Sequence, residues 1–126
     1  MRLSVLDQSP IREGGTAADA VAETIALAKA AEKLGYHRYW LAEHHNAKSF
    51  AGSAPEILIA RLATETREMR IGSGGVMLPH YSPLKVAEQF RMLETLAPGR
   101  IDLGLGRAPR TDPRTSQALQ GEPPAW

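Results

Sequence analysis

The sequence predicts a parallel α/β fold, and three observations carry that reading. Short apolar runs that read as strands begin near Leu3, Tyr39, Ile71 and Ile101, a spacing of about 30 residues, the length of one βαβ repeat. Between them lie polar loops and apolar patterns of helical period. The residues with chemistry to offer collect where the strands end: Glu43-His44-His45, Gly72-Ser73-Gly74-Gly75 and Gly104-Leu105-Gly106-Arg107.

The first strand is expected over Leu3 to Leu6, with a polar loop running to Gly15. Thr16 and Asp19 form a capping box, hydroxyl and carboxylate each taking a backbone amide of the other. Val21, Ile25 and Ala28, flanked by Leu27, Ala31 and Leu34, make the first helix amphipathic. Gly35 stands where a left-handed C-terminal cap is wanted. A second strand, Arg38 to Ala42, runs into Glu43. Ser53 and Glu56 read as a second capping box, with Pro55 in the first turn where its missing N–H costs little. The helix after it, Ile57 to about Thr66, is apolar nearly all round and demands cover on two sides, from another subunit or another part of the fold. The third strand, Met69 to Leu78, is rich in glycine. Ser82-Pro83 opens a third helix with Ala87, Phe90 and Leu93 at helical spacing, and Pro98-Gly99 ends it. The fourth strand is Ile101 to Leu105. From Ala108 to Trp126 prolines and polar residues without periodicity predict a disordered or loosely attached tail, beside a body over residues 1–107 that contains no linker.

An apolar share of 43% over 126 residues suffices for one core. A net charge of +1 offers no electrostatic footprint for nucleic acid or an anionic membrane. The absence of cysteine excludes a disulfide frame, thiolate metal sites and a thiol nucleophile, and suits the cytoplasm. No apolar run approaches the ~20 residues of a membrane span, and Met1-Arg2 leads into a strand without a signal-peptide pattern. The expectation is a soluble, unexported chain.

Two architectures fit the repeat, an open doubly wound sheet and one half of a (β/α)8 barrel, and in both the ligands sit at the carboxyl ends of the strands. The first strand-to-helix connection, Asp7 to Gly15, lacks the G-x-G-x-x-G pattern of a dinucleotide site, and Gly104-x-Gly106 is followed by Pro109. A metal site at Glu43-His44-His45, as in a metal-dependent hydrolase, is a lesser alternative, because neighbouring residues of an extended chain point to opposite faces. Three glycines around Ser73 need a reason, either a flat ligand against the backbone or side chains that fill the space. Arg107 reads as a clamp for phosphate or carboxylate, or as a solvated arginine opening a basic tail with Arg110 and Arg114.

Four segments together resemble the N-terminal part of the bacterial luciferase-like family of flavin-dependent monooxygenases. They are Leu6 to Pro10, Tyr39 to His45, Gly72 to Pro79 and Pro98 to Arg107. The resemblance implies the N-terminal half, about four βα units, of a (β/α)8 TIM barrel. It also implies reduced FMN or a deazaflavin as cofactor, and oxygen and a small organic molecule as substrates. Carried over by position, His44 matches the family's catalytic histidine, an acid or base for the flavin chemistry. Glu43, His45, Ser73, Gly74, Gly75 and Arg107 match its cofactor-binding residues, with Gly74-Gly75 at a non-proline cis peptide and Arg107 near the flavin phosphate. The resemblance also implies a homodimer for the full-length family. Gly121 to Trp126 do not read as a family continuation, so the alternative is an inactive truncated fragment, or a half barrel that needs a complementing chain.

Overall fold

Four parallel strands, β1 (Ser4–Asp7), β2 (Arg38–Leu41), β3 (Arg70–Met77) and β4 (Ile101–Gly106), lie side by side in chain order. The structure is a computed structural model that describes residues 1–109 and 111–120. Helices α1 (Ala17–Lys33), α2 (Pro55–Glu65) and α3 (Pro83–Leu96) connect the strands, a 3₁₀ turn (Leu78–His80) precedes α3, and α4 (Pro113–Gln120) follows β4. Spatial order equal to chain order is the arrangement of a barrel wall; an open doubly wound sheet reverses direction at a switch point.

Register explains which side of the sheet is covered. Val5, Tyr39, Ile71 and Ile101 stand in one row. With Leu41 they meet Ala28 and Ala31 of α1, Ile59 and Leu62 of α2, and Val86, Phe90 and Leu93 of α3 in a single core. The next row, Leu6, Trp40, Gly72 and Asp102, lies on the other face, which no helix among the described residues covers. Leu6 there is 59% exposed. On that face Asp102 takes Arg70 through two nitrogens at 2.8 Å each and Arg38 through one at 2.7 Å. The Arg70 bonds, with Arg38 behind them, hold the Asp102 carboxyl below its usual range although burial works the other way.

Local signals account for most element ends. Thr16 and Asp19 form the expected box at 3.1 and 3.0 Å. Gly35 takes φ +84°, and the amides of Gly35 and Tyr36 return to Glu32 and Ala31, closing α1 in a Schellman motif. Ser82 caps α3 through the Lys85 amide. The expected box at Ser53 is corrected: α2 begins at Pro55, its N-cap is Ala54, and no side chain caps it. Ser53 lies one residue too early to do so. The buried stripe of α1 is Ala20, Thr24, Ala28 and Ala31, leaving Leu27 and Leu34 exposed. In α3 it is Val86, not Ala87, that joins Phe90 and Leu93. Past Ala108, where the sequence shows no periodicity, Pro113–Gln120 is helical, held at its start by Asp112, which accepts from the Thr115 amide and hydroxyl. Gly121 to Trp126, and Arg110 of the expected basic tail, lie outside the described residues.

Two polar staples tie distant elements. Arg100, just before β4, donates to the carbonyls of Ala63 and Thr66 at the C-terminal end of α2 and to that of Met69. Glu32, near the end of α1, accepts from the amides of Arg67, Glu68 and Met69 at 2.9–3.0 Å. Burial alone would raise the Glu32 carboxyl, but those amides and the Arg100 charge outweigh it and lower it. A folded carboxyl lowered below its unfolded value contributes stability above the unfolded value and loses it as pH falls through the folded one. Glu32→Ala is therefore expected to cost about 1–2 kcal/mol at neutral pH. In urea unfolding across pH, that gap should close below the ordinary value of 4.5; a gap that stays constant into acid would refute the assignment.

Candidate active site

The carboxyl end of β2 turns inward at Glu43, whose side chain is almost fully buried at 2% exposure. A carboxylate there needs donors. Two converge on its Oε2: His45 Nε2 at 2.7 Å and the Tyr81 hydroxyl at 3.0 Å. Tyr81 Oη and His45 Nε2 are themselves 3.1 Å apart, so the three atoms form a closed triangle. Glu43 Oε1 is buried with no hydrogen-bond partner among the described residues. Burial, then the Glu43 charge, pushes the Tyr81 phenol upward, which keeps it a donor. Glu56, in the first turn of α2, is raised by burial and by the charge of Glu43.

His44 faces away from this triangle, as alternation in an extended segment requires. Its ring stacks on Phe50 with centroids 4.4 Å apart and planes 20° apart, and its amide donates to the Gly52 carbonyl at 2.9 Å. The loop carrying Phe50 is in turn held to the end of β1, through Ile11 N to Ser49 O and Ala51 N to Ser9 O. His44 is half-buried and borders a pocket with Asn46, Lys48, Phe50 and Ser53. Among the described residues, no group of three or more histidine and carboxylate side chains is placed to hold a metal ion.

Gly74 and Gly75 fall where the β3–β4 register shifts, and the peptide between them is cis. Gly74 is exposed on the open face, where an added Cβ would lie 3.1 Å from Trp40 Cβ and 3.4 Å from Leu6 Cδ1. Trp40 also leans over Gly72 and Gly104, and Arg38 lies 5.0 Å from its ring. Side chains thus fill the space beside both Gly72 and Gly74, but the backbone at Gly74 stays exposed. Ser73 is fully buried, its hydroxyl donating to the Gly104 carbonyl at 2.8 Å and accepting from the Gly104 amide at 3.1 Å. Arg107 is exposed past β4, in a groove with Leu78, Pro79, Tyr81, Pro83, Leu105 and Gly106.

Two residues that sequence reasoning did not select belong to this region. Tyr81 completes the triangle. His80 is buried, bonded through Nε2 to the Pro109 carbonyl at 2.7 Å and through Nδ1 to the Gln120 amide at 3.0 Å. With Thr111 donating to the His45 carbonyl at 3.0 Å and Asn46 to Thr115 at 3.1 Å, these bonds hold the α4 segment against the ends of β2 and β3. The signal was present in the sequence: His80-Tyr81 follows the third strand as His44-His45 follows the second. The structure brings Glu43, His45, His80 and Tyr81 together. His44 stacks on Phe50 instead, Arg107 lines the groove that Tyr81 also borders, and Ser73 lies within the seam between β3 and β4.

A family model described as luciferase-like monooxygenase matches residues 1–123. The N-acetyl-S-alkylcysteine monooxygenase of Bacillus subtilis is 60% identical over 122 residues, 97% of this chain and 36% of that protein. Among solved structures, apo-MsnO8 superposes with a TM-score of 0.93 at 54% identity, over 95% of this chain and 36% of that one. The oxygenating constituent of 3,6-diketocamphane monooxygenase from Pseudomonas putida, a type II Baeyer–Villiger monooxygenase solved with FMN, does so at 0.84 and 26%, over 94% and 32%. The chain spans about a third of the length of these relatives.

Proposed function

This chain belongs to the luciferase-like monooxygenase family, and from that premise we propose that it forms one wall of a flavin-dependent oxygenase site. The cofactor is reduced FMN or a deazaflavin, and the substrates are oxygen and a small organic molecule. One observation carries the reading. The open backbone at Gly74, flanked by Leu6 and Trp40, shares the carboxyl ends of the strands with a buried carboxylate–imidazole–phenol triangle.

The residues present fit a flavin. At Gly74 an added Cβ would crowd Trp40 at 3.1 Å, so glycine lets Trp40 and Leu6 close on the exposed backbone and form an apolar bed suited to a flat ring. Arg107, exposed and charged at the end of β4, is suited to an anionic phosphate tail. The bound reduced flavin would supply the electrons that activate oxygen. The chain's own residues do the rest: His44 gives or takes a proton at its imidazole, seated on Phe50. Glu43 and His45 hold the strand end in shape, and Ser73 fixes the β3–β4 seam beneath Gly74 and Gly75.

Titrating the 126-residue chain with reduced FMN without oxygen, read by flavin absorbance, is expected to show saturable binding that Arg107→Ala weakens roughly tenfold, the weight of one charge-assisted contact. No binding at high micromolar flavin would overturn the reading for this chain on its own. The exposed Leu6 on the uncovered face favours a second reading, a half barrel that binds flavin only with a complementing polypeptide. Saturable binding that appears only on co-expression with the remaining length of a relative would support it.

A further inference from the structure

We propose that Tyr81 is a positioning residue for His45: its hydroxyl, meeting His45 at Glu43 Oε2, holds the imidazole in the tautomer with hydrogen on Nε2. The proposal rests on the strand-end site argued above and extends it to a residue on a different element. Tyr81 follows the 3₁₀ turn after β3, whereas Glu43 and His45 follow β2. One carboxylate oxygen therefore joins two strand ends.

The geometry carries it. Glu43 Oε2 is an acceptor with two neighbours, His45 Nε2 at 2.7 Å and Tyr81 Oη at 3.0 Å. With a carboxylate as acceptor, both neighbours must donate, and hydrogen on Nε2 leaves the lone pair of His45 on Nδ1. Glu43 Oε1 cannot relieve the demand, since no group donates to it among the described residues. Among the described residues Tyr81 is the only other side chain bonded to Oε2. Tyr81 Oη also lies 3.1 Å from His45 Nε2. While its hydrogen goes to the carboxylate, its own oxygen is a second acceptor for the Nε2 hydrogen, and without the hydroxyl that acceptor is lost.

The test uses the full chain with nitrogen-15 histidine and long-range proton–nitrogen correlation spectra, without flavin. His45 is assigned by its disappearance in His45→Gln. In the unmodified chain His45 should carry its hydrogen on Nε2. In Tyr81→Phe the ratio of the Nε2–H to the Nδ1–H form should fall roughly fivefold, the weight of one neutral hydrogen bond. Glu43→Gln, which can present an amide oxygen at the Oε2 position, should retain the Nε2–H form, and Glu43→Leu should lose it. Hydrogen on Nδ1 in the unmodified chain would overturn the proposal, even if Tyr81→Phe did not fold. So would an unchanged ratio in a folded Tyr81→Phe. A tautomer response in a chain that binds no FMN sinks the flavin reading and keeps this one; FMN binding with no tautomer response does the reverse.

Discussion

Gly104→Ala is expected to prise β4 from β3 and destabilise the chain more than a methyl added at any other described glycine. A Cβ at position 104 would sit 2.1 Å from the Ser73 carbonyl oxygen. That oxygen belongs to backbone, so no rotamer change can relieve the contact. The same residue gives its amide and carbonyl to the Ser73 hydroxyl, so a shift that relieved the clash would break that pair as well. Overpacking of this kind costs about 1–3 kcal/mol when side chains can yield; here the strand itself must move, and the loss should reach or exceed that upper figure. Urea unfolding of the variant against the parent decides it. An unchanged midpoint would mean that β4 can slide along β3 at little cost, and the described register would then be wrong.

Ile59→Ala and Ile57→Ala, two residues apart on α2, should differ sharply. Ile59 is 0% exposed within the core, and Ile57 is 68% exposed. Truncating the first leaves a cavity against Tyr39, Ile71 and their neighbours and should cost about 2–5 kcal/mol. Truncating the second should change stability by less than about 0.5 kcal/mol. Equal losses at both positions would mean that α2 is covered on its outer side too, as its all-round apolar sequence suggests.

That pair also marks where the sequence stops being legible. Periodicity placed the four strands and three connecting helices to within a residue or two, because alternation and capping chemistry are local. It could not orient α2, since every rotation of an apolar cylinder looks alike until the sheet is present. It misjudged α1 for a related reason: the helix buries alanines and Thr24 and leaves Leu27 and Leu34 outside. Thr24 is acceptable inside because Ser9 shares a hydrogen bond with its hydroxyl at 2.8 Å, a partner fifteen residues away. The helix Pro113–Gln120 was missed because it has no buried residue to make a stripe.

At the site, Glu43-His44-His45 was recognisable as a cluster, and the opposite facing of the two histidines followed from strand geometry. Tyr81 escaped because its partnership with Glu43 spans 38 residues and has no spacing rule. Ser73 was grouped with the cofactor residues by resemblance. In the structure its hydroxyl binds Gly104 across the seam.

Arg100 has a consequence for the order in which the chain can be completed during synthesis. The carbonyls at the end of α2 are made well before the arginine that receives them, and β3 lies between. Until Arg100 has left the ribosome, the carbonyls of Ala63 and Thr66 lack the donor that the folded chain gives them. The second βα unit is therefore completed only when the start of the fourth arrives, so the end of α2 waits for a partner two units downstream.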